Sequence, residues 1–236
     1  EDDHFVVEDN HIIVEDDNII VEDDHFVGND SKQLHNESLK ENVDKVEVYD
    51  RWADTYEDYV NGLNYQGPIN LAKEVFDYFH NSGQDNFKIL DFGCGTGLVG
   101  LEISKLFCGK YIFNIDGIDI SDKMIQHSRD KNIYRQLWQL DLFKDTLPQQ
   151  YQYDLIVSSG VFLEGHVSFK MIDILLNSIK PFGVMFFTLR ESFRDKNMEE
   201  YVKYVTNNIR IEILNEFNIQ YLPDVNCKMV VLKKLF

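Results

Sequence analysis

The segment Lys88-Ile89-Leu90-Asp91-Phe92-Gly93-Cys94-Gly95-Thr96-Gly97 joins an apolar run to three closely spaced glycines, with a carboxylate just ahead of them. Glycines so placed permit a tight strand-to-helix turn and let a ligand approach bare backbone beside a helix N-terminus. Two ligand classes use such a turn. Gly95, Gly97 and Gly100 spell G-x-G-x-x-G, a dinucleotide fingerprint of low specificity when it stands alone. Asp91 argues against a dinucleotide, because its carboxylate would sit close to an incoming pyrophosphate. S-adenosylmethionine carries no phosphate, and a carboxylate favours both its ammonium and its sulfonium.

Two further acids follow in order. Asp119, in Gly117-Ile118-Asp119-Ile120-Ser121, ends the next apolar run 22 residues beyond Gly97. An acid there can accept both hydroxyls of a ribose, a role shared with dinucleotide folds. Asp116 is the alternative, but the apolar alternation and the Ser121 N-cap favour Asp119. Ile120 and Met124 can pack on an adenine face, or Met124 can be helix core. In Gln139-Leu140-Asp141-Leu142-Phe143, Asp141 can accept from an adenine amino group while the Leu142 amide donates to a ring nitrogen.

These residues need a frame, and the hydrophobic pattern supplies one. Strand-like runs at 87–92, 111–120, 134–142, 153–158 and 184–189 alternate with helix-length segments at 98–107, 121–130 and 167–180. That rhythm predicts an α/β domain, a doubly wound, mostly parallel sheet with helices on both faces. The spacing also predicts a long helix over 199–217, then a hairpin through Pro223 to Asn226 that adds an antiparallel edge. Upstream, Val48, Tyr49, Trp52, Tyr56 and Tyr59 recur at helical spacing, and Pro68 opens a second helix reaching Phe79. The domain is expected to span 44–236, with 44–82 as a helical N-terminal part and 31–43 as a polar linker.

Residues 1–30 stand apart. EDDHFVV, EDNHIIV, EDDNIIV and EDDHFVG repeat a seven-residue unit whose three adjacent apolar residues make no coiled-coil seam. A solvated acidic tail is expected, although the β-branched and aromatic triplets would suit very short strands. The tail holds twelve of the chain's 41 acids and no Lys or Arg, which leaves 29 acids against 23 bases elsewhere. With no basic stripe, nucleic acid is not an expected partner. No stretch reads as a membrane span. Cys94, Cys108 and Cys227 have neither metal-ligand spacing nor an even disulfide set, so no metal is expected and a reducing, cytoplasmic setting is. Cys108 and Cys227 read as small buried apolar residues.

Together the residues from about Val48 to Phe193 resemble the class I S-adenosylmethionine-dependent methyltransferases. A closer likeness is to the Williams–Beuren syndrome critical-region methyltransferase-like proteins, carried by Tyr49-Asp50-Arg51-Trp52-Ala53-Asp54-Thr55-Tyr56, Gly95-Thr96-Gly97-Leu98-Val99 and Gly160-Val161-Phe162-Leu163-Glu164-Gly165-His166-Val167. The resemblance implies a Rossmann-like, seven-stranded methyltransferase sheet with an antiparallel C-terminal hairpin strand. It also implies that the aromatic helix is a lid over the cofactor. Phe182 stands where the family commonly has glycine.

The expected cofactor is S-adenosyl-L-methionine, held by Tyr49, Trp52, Tyr56, Asp91, Gly93, Cys94, Gly95, Gly97, Asp119, Ile120, Asp141, Leu142 and Ser158. The 158–162 segment should face the methyl group, and it lacks the Asn/Asp-Pro-Pro-aromatic element of amide and amino nitrogen methylases. A small-molecule acceptor is therefore expected. His166 and Glu164 are the candidate general bases or acceptor contacts, or else hydrogen-bonding loop residues. An NAD(P)-dependent oxidoreductase and a non-catalytic S-adenosylmethionine-binding protein are the alternatives.

Overall fold

A computed structural model of the protein describes residues 12–15, 18–21, 29–80, 82–147, 152–223 and 225–236. Seven strands form one sheet in the order β5-β4-β3-β6-β7-β9-β8. Five of them, β3 (Asn86–Phe92), β4 (Ile112–Asp119), β5 (Tyr134–Gln139), β6 (Tyr153–Phe162) and β7 (Ile179–Leu189), run parallel. β9 (Val225–Lys234) joins β7 antiparallel, and β8 (Ile211–Leu222) closes that edge antiparallel to β9. This is the expected doubly wound sheet with its C-terminal hairpin.

Alternation along β3 sorts its side chains between the two faces. Phe87 and Ile89 join a core with α3 (Gly67–His80) and α4 (Leu98–Phe107). Leu90 and Phe92 join the opposite core, built with α6 (Lys170–Leu176) and α7 (Glu191–Lys196). Asp91 shares the parity of Ile89 and therefore points toward the N-terminal end of α4. Burial on both faces explains why these strands read as apolar runs rather than strict alternations.

A third layer covers the carboxyl ends of the strands. α2 (Lys45–Gly62) starts at Asp44, whose side chain accepts from the amides of Val46 and Glu47, and it buries Val48, Trp52, Tyr59 and Val60. α1 (Asn29–Ser38) packs beside it. The sequence offered only a linker there, because Leu34 is the single large apolar residue on the helix. Side-chain hydrogen bonds dock it instead, Ser31 to Thr55 and His35 to Tyr59.

Other boundaries moved as well. The helix expected over 199–217 is replaced by α8 (Met198–Tyr201), a π-helical turn over Val202–Thr206 and strand β8. Ile211, Ile213, Phe217, Ile219 and Tyr221 suit a two-residue period, and ten pairings with β9 stabilise the strand. The third parallel strand stops at Gln139, so Asp141 and Leu142 lie in a turn. Cys108 is exposed at the end of α4, against the buried position expected for it, whereas Cys94 and Cys227 are buried. In the acidic repeats, β1 (Ile12–Glu15) and β2 (Asn18–Val21) pair antiparallel, and the remaining repeat positions lie outside the described residues.

Candidate cofactor and acceptor site

The site lies where the strand order reverses, at the carboxyl ends of β3, β4 and β6. Open parallel sheets leave a crevice there, because the connections on either side depart to opposite faces. After Phe92 the chain turns through Gly93, Gly95 and Gly97, at φ of 69°, 52° and 93°. The amides of Gly93 and Cys94 both donate to the Ile118 carbonyl at 2.9 and 3.0 Å, which ties the loop to β4. A Cβ on Gly93 would meet Val161 at 2.4 Å, whereas one on Gly95 would meet nothing within 4 Å. Open space therefore adjoins bare backbone at Gly95.

Asp119 faces this space from the end of β4. Its Oδ2 accepts from the Gly95 amide at 2.8 Å and its Oδ1 from the Ser121 amide at 3.0 Å. Each oxygen keeps a second lone pair, so the oriented carboxylate can still accept a pair of hydroxyls. Burial holds its pKa above the ordinary value, while the amides of Ser121, Gly95 and Ile120 oppose the rise. Asp116, the acid set aside in the sequence, lies within the sheet and is paired with Arg135 and the Tyr153 hydroxyl.

Asp91 is wholly buried behind the loop. The Tyr134 hydroxyl donates to its Oδ2 at 2.7 Å, and its Oδ1 has no hydrogen-bond partner. Burial raises its pKa to about 7, against hydrogen bonds from Tyr134 and the Gly100 amide, and Asp119 raises it further. An unsatisfied buried carboxylate oxygen is costly and favours a cationic or donating group nearby.

The cavity in front of the loop holds about 750 Å³ of space with the open solvent at its mouth included. Gly93, Gly95, Asp119, Ile120, Tyr49 and Tyr56 line it, and so do Met124, Leu140 and His166. Cys94 lies against a smaller crevice on the other side of the glycine loop. Gly97 opens α4, where an added Cβ would crowd Ser128 and Tyr134. Trp52 lies on α2 and lines a second chamber. Ser158 is buried and donates to the Phe92 carbonyl at 2.9 Å. Asp141 accepts from the Phe143 amide and pairs with Lys144, and the Leu142 side chain is in the core.

His166 and Tyr49 meet where the two cavities join. The Tyr49 hydroxyl is 2.5 Å from His166 Nε2, and His166 Nδ1 is 2.8 Å from the Glu164 carbonyl. A carbonyl can only accept, so Nδ1 carries the hydrogen and Nε2 receives the hydroxyl. Burial pushes His166 down to about 4; the Glu164 carbonyl opposes this, and the charges of Lys45 and Arg190 add to it. The Glu164 side chain instead accepts from Ser192 at 2.6 Å and lies 3.5 Å from Arg190.

Ser159, Gly160 and Val161, from the 158–162 segment expected to face the methyl group, also line the cavity, whereas reasoning from the sequence did not find Leu140 or Val167 there. Leu140 and Val167 sit beside residues that were chosen, where a turn rather than a period sets direction. Lys45, the one basic residue of the wall, donates to the Ser38 and Lys40 carbonyls. Among the described residues, no group of three or more His, Cys, Asp or Glu is placed to hold a metal ion. No helix among them is long and apolar enough to cross a membrane.

Residues 90–183, which run from the strand before the glycine loop to the turn at Gly183, match the methyltransferase domain family. That stretch of the chain is thus similar to methyltransferase domains. Human methyltransferase-like protein 27 is 28% identical over 157 residues, 66% of this chain and 62% of the relative. Malonyl-[acyl-carrier protein] O-methyltransferase 2 of Ilyobacter polytropus is 28% identical over 189 residues, 74% of this chain and 68% of that one. A Listeria monocytogenes protein assigned to the class I S-adenosylmethionine-dependent methyltransferases shares the fold, with a TM-score of 0.58 at 17% identity, over 87% of this chain and 73% of its own. The chain thus spans somewhat under two thirds of the human relative's length.

Proposed function

We propose that the protein transfers the methyl group of S-adenosylmethionine to a small-molecule acceptor, in the cytoplasm. The observation that carries this reading is the pair of buried carboxylates at the glycine loop, Asp91 with an orphaned oxygen and Asp119 with spare lone pairs. The Asp119 carboxylate raises the affinity of Asp91 for a proton, and a cation nearby would offset that repulsion. A pyrophosphate would meet two carboxylates, which disfavours a nicotinamide dinucleotide.

In this reading the bare backbone at Gly93 to Gly97 and the Asp91 carboxylate serve the ammonium end, and Asp119 accepts from the ribose. Ile120, Met124 and Leu140 pack on the base, whose edge is met by the turn at Asp141 and Leu142. Tyr49 and Tyr56 close over it from α2. The sulfonium supplies the reactivity, and the protein supplies orientation and exclusion of water. His166 accepts the acceptor's proton. Glu164 positions that imidazole through its backbone carbonyl, and it is a positioning residue rather than a base.

Calorimetry tests the cofactor, with micromolar binding expected for S-adenosylmethionine and its demethylated product and none for NADH. Tighter binding of NADH would defeat the reading. Transfer of labelled methyl from S-adenosylmethionine into a metabolite extract separates an enzyme from a mere binder.

A further inference from the structure

We infer that the second chamber is the acceptor site and that it takes an uncharged aryl alcohol, which Tyr49 and His166 relieve of its proton. The inference rests on the methyl-transfer reading and gives it a substrate class. The chamber's space, about 510 Å³ with the open solvent at its mouth included, shares Tyr49, Tyr56, Gly160 and His166 with the cofactor cavity. An occupant therefore contacts residues that also line the cofactor cavity.

The lining sets the chemistry of that occupant. It contains no Lys, Arg, Asp or Glu. Its rings instead come from separate parts of the chain, among them His35 on α1, Trp52 and Tyr59 on α2, and Tyr221 on β8. Trp52 is the hub, stacked on Tyr49 at 5.9 Å and on His35 at 5.7 Å, with Tyr56 and Tyr59 edge-on. Such walls suit a flat ring, through offset and edge-to-face contacts. Burial holds both histidines neutral, and with no carboxylate in the lining an ammonium finds no counter-ion. An anion likewise finds no cation in the wall.

A polar vacancy narrows the class. Trp52 is 2% exposed, and its indole N–H has no hydrogen-bond partner. A buried donor left unpaired is costly, and an oxygen on the ligand would satisfy it. A hydroxylated ring supplies both the flat face and that oxygen.

The transfer step balances on these residues. As the hydroxyl oxygen bonds to the methyl carbon, the carbon–sulfur bond breaks and leaves its electron pair on sulfur. The proton passes from the acceptor to Tyr49, and Tyr49 passes its own to Nε2 of His166. The hydroxyl proton becomes strongly acidic only as the oxygen–carbon bond forms, so a weakly basic imidazole suffices.

The test uses 2-naphthol as probe, with 2-naphthoate and 2-aminomethylnaphthalene as anionic and cationic controls, titrated calorimetrically into the protein without and with S-adenosylhomocysteine. The naphthol is expected to bind at least tenfold more tightly than either control. Leu63→Trp, which fills the chamber, should abolish naphthol binding and leave the S-adenosylhomocysteine affinity within threefold. Trp52→Phe keeps the ring and loses the donor, and should weaken naphthol about tenfold. His166→Gln should leave naphthol affinity within threefold yet slow labelled-methyl transfer about a hundredfold. Absent naphthol binding, equal binding of a charged control, or naphthol affinity untouched by both chamber variants overturns the inference. Failure of S-adenosylhomocysteine to bind would instead overturn the methyl-transfer reading beneath it.

Discussion

Tyr49 and His166 lie 117 residues apart in the chain, yet their hydroxyl and imidazole meet at 2.5 Å on the wall between the two cavities. Tyr49 arrives on α2 and His166 on the loop after β6, so the contact forms only when α2 packs over the strand ends. Burial raises the tyrosine's pKa above its ordinary value and lowers that of the histidine, and both stay neutral at physiological pH.

Asp119→Asn should weaken S-adenosylhomocysteine about ten- to a hundredfold. The amide retains one acceptor for the glycine loop but loses the charge that strengthens hydrogen bonds to hydroxyls. Calorimetry reads the change, and an unchanged Kd would remove Asp119 from the cofactor site.

Stability should fall on mild acidification. His35 and His166 are both held at about 4 in the fold, chiefly by burial, against about 6.5 unfolded. From pH 6.5 down to 4 the unfolded chain binds the extra protons, so the stability present above 6.5 is lost as pH falls, roughly 3 kcal/mol per ring by pH 4. Asp91 acts oppositely: raised to about 7, it contributes fully below its unfolded value and loses that contribution as pH rises through 7. Two rings outweigh one carboxyl, so these groups together should cost about 2 kcal/mol between pH 7 and 5. Urea titrations at both pH values check this, and His35→Gln should remove most of the difference.

Three acids fasten α2 along one face. Asp50 accepts from the Ser121 hydroxyl at 2.6 Å and from the Lys123 amide, Asp54 meets His127, and Glu57 meets Lys131. These acids stand at positions i, i+4 and i+7, opposite α5 (Asp122–Asp130) and the residue that follows it. Asp50→Ala should speed S-adenosylhomocysteine release several-fold in stopped-flow measurements. Asp54→Ala should not, because its exposed pair contributes under about 1 kcal/mol. Equal effects would contradict a helix pinned at the Ser121 cap.

Phe182→Gly should stabilise the protein by about 1 kcal/mol. Phe182 holds φ at 65° and is 68% exposed, a backbone conformation that disfavours any side chain bearing a Cβ. Denaturant midpoints would show the gain, and a loss would mean that the Lys233 contact with the ring outweighs the strain.

Removing the Asp116 carboxylate with Ala should cost about 1–3 kcal/mol, since a wholly buried acceptor of hydrogen bonds from Arg135 and Tyr153 is lost within the sheet. Thermal unfolding reads it directly, and a loss under 1 kcal/mol would show that the pair is not structural.

Local sequence determined the sheet, the glycine loop and the order of Asp91, Asp119 and Asp141, because each depends on strand parity, glycine conformation or chain spacing. It did not determine the edge hairpin's first strand, where Ile209 to Phe217 satisfies both helical and strand periods until β9 supplies partners. Nor did it reveal α1, whose one large apolar residue gives no period and whose docking depends on His35 and Ser31 meeting side chains of α2. Tertiary structure alone decided that Trp52 faces the second chamber, that Glu164 turns its carboxylate toward Arg190, and that Tyr49 meets His166. Those outcomes follow from how three distant segments close over one sheet edge, and side-chain direction across such a junction is set by packing rather than by any residue's own neighbours in the chain.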